Sequence, residues 1–324
     1  MQIDLNTLYS REDAFIKSLH RPKPYKQGRS IVTTCYDREI PGTWVLLSEL
    51  RRLHCGLPIE VFHRAGELSD DQIALLESAI PGQVTVKEIK GNAKDFVSRY
   101  GHTHGWSCKI YALTESEHDE NLWIDGDNYP TRNPEFLFDD PEYLAKGSLF
   151  WRDMFSPDSA NQYADGSPMW PIFNVPINDA EPFEAGQLLI NKSKRWAELA
   201  LVRYYADNCE VYYHFGGDKE TFKFAWQRMG MLGNVHPMRI NYHSDPNVPF
   251  GFMPYGPFSK GDPNQYHKWG GGTVMVQRDR EGRELFNHRN MQKLRLGSNP
   301  VYHDITNEKH YHSHIEALAK RMGA

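Results

Sequence analysis

Two carboxylates, Asp125 and Asp127, stand at i, i+2 directly after the apolar run Leu122-Trp123-Ile124. Hard divalent cations take oxygen ligands, and an Mg²⁺-type ion usually binds one or two protein carboxylates together with substrate phosphates. A buried strand ending in Asp-Gly-Asp therefore offers the platform for a metal-bound diphosphate that a sugar-nucleotide enzyme needs. Pro130 stops the segment from continuing as strand. The same residues also serve ordinary turn chemistry, in which Asp and Gly simply close a loop. A rival cluster, His310-x-His312-x-His314, sets two imidazoles at i, i+4, the spacing of a helical zinc pair. No acidic general base stands between them, and surface histidines on a final helix account for them better.

The elements that must position these groups are readable from periodicity. Ser30 to Tyr36 has the β-branched richness of a buried strand, and Ile59 to His63 and Val84 to Ile89 repeat it. Between them, Trp44, Val45, Leu47, Leu50 and Leu53 recur at helical spacing, as do Ile73, Leu75, Leu76 and Ile80 behind a capping box at Ser69–Gln72. Ser107 to Glu117 reads as a helix just before the strand that carries Asp125. Strand and helix alternating four times predict a parallel, doubly wound α/β sheet, whose ligands bind beyond the carboxyl ends of the strands. Tyr36-Asp37-Arg38 and Asp125-Gly126-Asp127 lie at such ends.

Beyond residue 130 the pattern is less regular. Pro134 to Phe138 reads as a helical turn, Ser148 to Trp151 and Gln187 to Ile190 as strands, and residues 156–182 as a long loop. Ser193 is placed to cap a helix over Trp196 to Tyr205, and Asp218 to Met229 forms another with acids in its first turn. Thr273 to Gln277 and Glu284 to Asn287 predict a hairpin, and Asn307 to Arg321 an amphipathic terminal helix. The organisation expected is an arm over 1–29 and one domain over 30–324. Within it, 30–130 is the nucleotide-binding half, 131–300 the acceptor half and 301–324 the C-terminal helix.

Composition excludes several classes. The 324 residues carry a net charge of −5, against the basic footprint of a nucleic-acid binder. Charged residues are 24% and hydrophobic residues 40%, the balance of a globular protein rather than a disordered one. The four cysteines, Cys35, Cys55, Cys108 and Cys209, form no close pairs, so neither a zinc ribbon nor a disulfide framework is indicated. Residues 1–11 lack a basic-then-apolar leader, and no stretch approaches the ~18–20 apolar residues that span a bilayer. The expectation is a soluble, cytoplasmic protein of a reducing compartment.

Several segments carry a resemblance. They are Leu122 to Asn128, Phe150-Trp151-Arg152-Asp153, Phe183 to Lys192, Gly217 to Phe222 with Ala225-Trp226, and Met275 to Asp279 continuing to Leu285 to Asn290. In order and spacing, from about Lys109 to Asn290, they resemble the fungal Golgi α-mannosyltransferases that build α-1,2 and α-1,3 branches on mannans. The resemblance implies a retaining, metal-dependent glycosyltransferase of the A-type (Rossmann-like) α/β fold, a central mixed sheet flanked by helices. It also implies a nucleotide-activated mannose as donor. The fungal members begin with a membrane anchor for which this chain shows no counterpart. Gly126 also departs from the larger or different small residue common in their acidic motif.

The resemblance gives the residues roles. Asp127 is the foremost ligand for Mn²⁺ (or Mg²⁺), with Asp125 a second ligand or a partner of the donor ribose or sugar. His288 is implied as a distal imidazole ligand, a mixed shell that an Mn²⁺-like ion accepts; a strand-end His is otherwise a surface or turn residue. Arg38 and Lys109 are candidates to assist the departing diphosphate, and Tyr36 to stack on the base or simply pack a strand end. Glu184, read as lying in a polar loop before Leu188-Leu189-Ile190, is the candidate nucleophile, oxocarbenium stabiliser or acceptor clamp. Asp218 and Glu220 are placed to bind acceptor hydroxyls, although acids at a helix start need no function. The expected reaction moves mannose from GDP-mannose to a glycan hydroxyl with retention. A UDP-hexose donor, or a non-catalytic carbohydrate-binding protein of this fold, stands as the alternative.

Overall fold

The computed structural model describes residues 4–22, 24–93, 95–97, 103–152, 166–178, 183–208, 211, 217–231, 252–254, 273–279, 281, 283–290, 293–297, 299 and 306–323. Most of the 156–182 loop, all of 255–272 and Cys209 lie outside them. The chain opens with helix α1 (Leu5–Lys17), then alternates β1 (Lys26–Thr34), α2 (Ile40–Arg52), β2 (Ile59–His63), α3 (Asp70–Glu77) and β3 (Val84–Glu88). A small ladder of β4 (Phe96–Val97) and β5 (Thr103–His104) precedes α4 (Ser107–Glu115), β6 (His118–Ile124) and β7 (Asn128–Pro130). Next come α5 (Pro141–Lys146), β8 (Ser148–Arg152), α6 (Met169–Ile172), β9 (Phe183–Asn191), α7 (Trp196–Asp207) and α8 (Lys219–Met231). The last elements are β10 (Phe252–Pro254), β11 (Thr273–Arg278), β12 (Glu284–His288) and helix α9 (Glu308–Met322).

The main sheet has the order β3-β2-β1-β6-β9-β8. Its first four strands are parallel, because each crossover carries a helix or a comparable length of chain. Strand β9 then returns antiparallel to β6, and β8 antiparallel to β9. The sheet is therefore mixed, as the resemblance implies, and the wholly parallel reading of the alternation is corrected. Both faces are covered. Ile31, Leu122, Ile124 and Leu189 point into one core with α2, α3 and α9, while Val32, Trp123, Leu188 and Ile190 point into the other with α4, α7 and α8. That two-sided burial is why these strands read as continuous apolar runs rather than alternating ones.

Three local readings change. Residues 5–17, within the expected arm, form a helix capped by Asp4, with Leu8 and Glu12 buried. Glu12 receives a hydrogen bond from Arg228 (2.6 Å) on α8 and one from the Tyr205 hydroxyl (3.3 Å) on α7. Ser193 does not cap α7; its backbone N–H donates to the Asp119 carboxylate (2.9 Å), and the helix begins after Arg195. Pro130 does not end the strand that holds Leu122 to Ile124. The turn at Asp125–Asp127 ends it, and Pro130 closes β7, which lies at the edge of a second sheet of order β10-β11-β12-β7, where a missing N–H is tolerated. The capping box at Ser69 and Gln72 is present as read.

This second sheet sets the site. The chain leaves the main sheet at Ile124 and enters β7 at Asn128, so the acidic turn spans the seam between the two. In the antiparallel register of β7 and β12, His288 pairs with Asn128, one residue past Asp127. Arg289 follows; its N–H donates to the Asp127 carbonyl (2.8 Å), and its guanidinium lies 2.6 Å from Glu308 at the start of α9. Both side chains are buried, at 0% and 2% exposure. Breaking a buried pair by removing one partner typically costs about 3–5 kcal/mol, because a charge is left behind in a poor solvent. Arg289→Met is accordingly expected to lower the urea midpoint with the slope unchanged. A wild-type midpoint would show that this pair does not hold α9 to the site.

Candidate active site

The acidic turn is packed backbone to backbone. A Cβ placed on Gly126 would lie 2.8 Å from Thr43 Oγ1, and one on Gly42 would lie 2.9 Å from the Gly126 carbonyl oxygen. Helix α2 thus begins against the turn at a distance that leaves no room for a Cβ on either residue. The turn is pinned on its other side as well. The Asp125 N–H donates to the Gly186 carbonyl (2.8 Å), the Asn128 N–H to the Asp125 carbonyl (2.9 Å), and Trp123 Nε1 to Asp125 Oδ1 (2.7 Å).

Asp125, Asp127 and His288 converge. One ligand atom from each lies within 4.8 Å of the others, and this is the only such group among the described residues. His288 Nε2 is 3.2 Å from Asp127 Oδ1 and 3.8 Å from Asp125 Oδ2, and its Nδ1 is 3.6 Å from Glu184 Oε1. The imidazole reaches this position because residue 186 is glycine: a Cβ there would stand 2.5 Å from His288 Nδ1. Two carboxylates and an imidazole that converge, Asp127 and His288 buried and Asp125 half-buried, fit a divalent ion of intermediate hardness. Glu184 faces the second ring nitrogen just beyond hydrogen-bond distance, on the side from which a carboxylate orients a ligating histidine.

The electrostatics agree with a cation-seeking site. Burial raises Asp125 above the ordinary carboxylate range, with Lys109 only partly countering it. Burial also pushes Asp127 upward, but Lys293 and His288 outweigh it and hold that carboxyl well below the usual range. Burial works against charge on His288, yet Asp127, Glu184 and Asp125 together raise it above a free imidazole.

A lysine flanks each aspartate. Lys109, on α4, lies 3.2 Å from Asp125 and 3.1 Å from Asp218, and donates to the Ala185 carbonyl (2.7 Å). Asp218, at the head of α8, thereby joins the same cluster. On the opposite side Lys293 is 2.6 Å from Asp127 and 3.6 Å from Glu39, and Arg295 reaches Glu39 at 3.1 Å. The Tyr36 hydroxyl donates to Glu39 (2.8 Å), so Tyr36, 42% exposed, borders the site one residue removed from the lysine.

The structure thus brings together Asp125, Asp127, His288, Glu184, Lys109 and Asp218, with Tyr36 at the rim. Arg38 is not among them: it is exposed on the turn Asp37–Glu39 and, among the described residues, makes no ion pair with these carboxylates. Glu184 lies inside β9 rather than in a loop, and its Oε1 accepts from the Gly186 N–H (3.1 Å). Of the rival His310/His314 pair, His314 is instead engaged by Glu49 on α2 (2.8 Å), which fastens α9, while the intervening His312 bonds Glu308 within the same helix (3.0 Å). Sequence reasoning missed Lys293, Glu39 and Trp106. Trp106 carries a signal in retrospect, at i, i+3 from Lys109 on one helix face. Its ring is 36% exposed and lies beside Gly217, next to Asp218.

Comparison with known proteins adds an independent line. A family model described as "Mannosyltransferase putative" matches residues 28–169. The α-1,2-mannosyltransferase MNN2 of Saccharomyces cerevisiae is 24% identical over 259 residues, covering 67% of this chain and 42% of the relative. The α-1,2-mannosyltransferase MNN2 of Candida albicans is 26% identical over 228 residues, covering 56% of this chain and 38% of the relative. The chain spans about two fifths of the length of these relatives. Among solved structures, the galactosyltransferase LgtC in complex with donor and acceptor sugar analogues superposes with a TM-score of 0.52 at 15% identity, covering 89% of this chain and 95% of that one. The bifunctional glycosyltransferase WbbM superposes at 0.50 and 13% identity, covering 91% and 50%. These likenesses show an A-type glycosyltransferase fold. No helix among the described residues is long and apolar enough to cross a membrane.

Proposed function

We propose that this chain, a relative of the fungal α-mannosyltransferases with an A-type glycosyltransferase fold, transfers mannose from GDP-mannose to a glycan hydroxyl with retention, in a metal-dependent reaction. The observation that carries the reading is the convergence of Asp125, Asp127 and His288 at the carboxyl end of parallel strand β6, flanked by Lys109 and Lys293. Those three residues would hold Mn²⁺ or Mg²⁺, which when bound neutralises the charge that builds on a departing diphosphate without a proton. Lys109, tied to Asp125 and Asp218, fixes the carboxylates rather than offering a loose charge to phosphate. Tyr36 borders the side assigned to the nucleotide. Trp106 and Asp218 border the opposite side, where an aromatic face and a carboxylate suit an acceptor sugar's apolar face and its hydroxyls.

The test is a donor-hydrolysis panel with Mn²⁺, using GDP-mannose, UDP-glucose and UDP-galactose. GDP-mannose is expected to turn over and the UDP sugars to persist, with chelator abolishing the reaction. A native-state ligand at ~100-fold its Kd adds about 2.7 kcal/mol of apparent stability, so GDP with Mn²⁺ should also raise the melting temperature. Turnover of a UDP sugar alone would overturn the donor, and a stabilised protein that turns over none of the sugars would indicate a binding protein.

A further inference from the structure

Asp127 divides its two oxygens between two cations. Oδ1 faces His288 Nε2 at 3.2 Å, and Oδ2 faces Lys293 Nζ at 2.6 Å. The imidazole and the carboxylate are buried, whereas the Lys293 side chain is 36% exposed, so of the three it alone has solvent along its length. We propose that Lys293 is a built-in counter-cation that competes with a divalent ion for Asp127 and, once displaced, pairs with the donor's diphosphate. This rests on the metal-dependent transfer proposed above and deepens it.

Charge and reach support the exchange. An ammonium on Oδ2 and a divalent cation on Oδ1 of one carboxylate divide a single negative charge and repel each other at close range, and an anionic diphosphate arriving with the metal supplies the displaced lysine with a new partner. Lysine suits this role as a compact charge on a flexible stem. A second position already exists for it. Glu39 Oε2 stands 3.6 Å from Nζ, and Arg295 and Tyr36 hold that carboxylate in place toward the nucleotide side. Lys109 offers the contrast. Its side chain is 8% exposed and held by Asp125, Asp218 and the Ala185 carbonyl, so it has no route to exchange.

The experiment titrates Mn²⁺ by electron paramagnetic resonance into wild type, Lys293→Met and Lys293→Arg, without nucleotide and with GDP. Removing a unit charge this close to a partly exposed site is expected to tighten Mn²⁺ binding without nucleotide roughly tenfold in Lys293→Met. The same variant should bind GDP in saturating Mn²⁺ roughly tenfold more weakly, since the diphosphate loses a charge-assisted contact. Lys293→Arg keeps the charge and should stay near wild type in metal affinity. Opposite signs in the two titrations are what a merely structural lysine would not produce. Equal or weaker Mn²⁺ binding by Lys293→Met overturns the exchange and leaves the transferase reading standing, whereas a wild type that takes up no Mn²⁺ overturns both. A sugar panel with no turnover, beside a wild type that binds Mn²⁺ and the expected opposite shifts, would sink the transfer alone.

Discussion

Asp127→Asn is expected to lose transfer and donor hydrolysis by a factor on the order of 10³, the upper scale of removing one preorganised electrostatic contact. The side chain keeps its shape, so the loss reports charge. Asp127 is buried, and its oxygens are shared by His288 Nε2 and Lys293 Nζ. An amide there withdraws a ligand oxygen's negative charge and leaves both neighbours without the group that favours their charged forms. The fold should survive. The hydrogen bond that ties this turn to β12 runs from the Arg289 N–H to the Asp127 backbone carbonyl (2.8 Å), which the substitution does not touch. Lys293 keeps Glu39 and solvent. The circular dichroism spectrum and urea midpoint should therefore stay close to wild type, while nucleotide-dependent Mn²⁺ binding disappears. Wild-type turnover by this variant would mean that the ion is held elsewhere.

What the sequence made legible follows the range of the interactions involved. Strands β1, β2, β3 and β6 and the helices between them are local in origin: apolar runs buried on both faces, separated by stretches of helical period and a capping box, point to one architecture. Asp125 and Asp127 stood out because a strand delivers them together. The return strand β9 was legible only where it is apolar. Its first residues, Phe183 to Gly186, are held in strand form by pairing with β8 and by the Asp125 N–H at the Gly186 carbonyl, and they carry little strand signal of their own, which is why Glu184 reads as a loop residue in sequence. The second sheet depends still more on long-range pairing. Strand β7 is three residues long and ends in proline, and its register with β12 is what sets His288 beside Asp127. The resemblance supplied His288; the local pattern alone did not. Lys293 had no local signal at all. Arg38, a cation just beyond a parallel strand, is exposed on the turn Asp37–Glu39, outside the cluster of paired carboxylates. Gly126 fits where it stands because α2 comes within reach of the turn's backbone, a contact between segments that no window of sequence displays.

Glu184→Gln is expected to reduce donor hydrolysis and transfer together, by a factor on the order of 10² or more, with GDP-mannose binding preserved. An interaction made mainly in the transition state lowers kcat and kcat/KM in parallel, whereas one made equally in the ground state alters KM alone. Glutamine nearly preserves the volume and can still accept from the Gly186 N–H, which Glu184 Oε1 does at 3.1 Å. What it cannot supply is negative charge beside a reacting sugar carbon that becomes positive. The structure adds a competing role, because Glu184 Oε1 also stands 3.6 Å from His288 Nδ1. If its main task is to orient that imidazole, Mn²⁺ affinity should fall by roughly 10–100-fold, the usual effect of losing a ligand's outer partner. If it clamps the acceptor, acceptor KM should rise while slow donor hydrolysis continues at the wild-type rate. Three measurements on one variant therefore separate the roles: the Mn²⁺ titration, hydrolysis without acceptor, and transfer across a range of acceptor concentration. Wild-type hydrolysis with impaired transfer would remove Glu184 from the reacting carbon. Intact metal affinity with both rates depressed would place its charge at the sugar, as a nucleophile in a covalent route or as a stabiliser of the positive centre in same-face attack, the two routes by which a transfer can retain configuration.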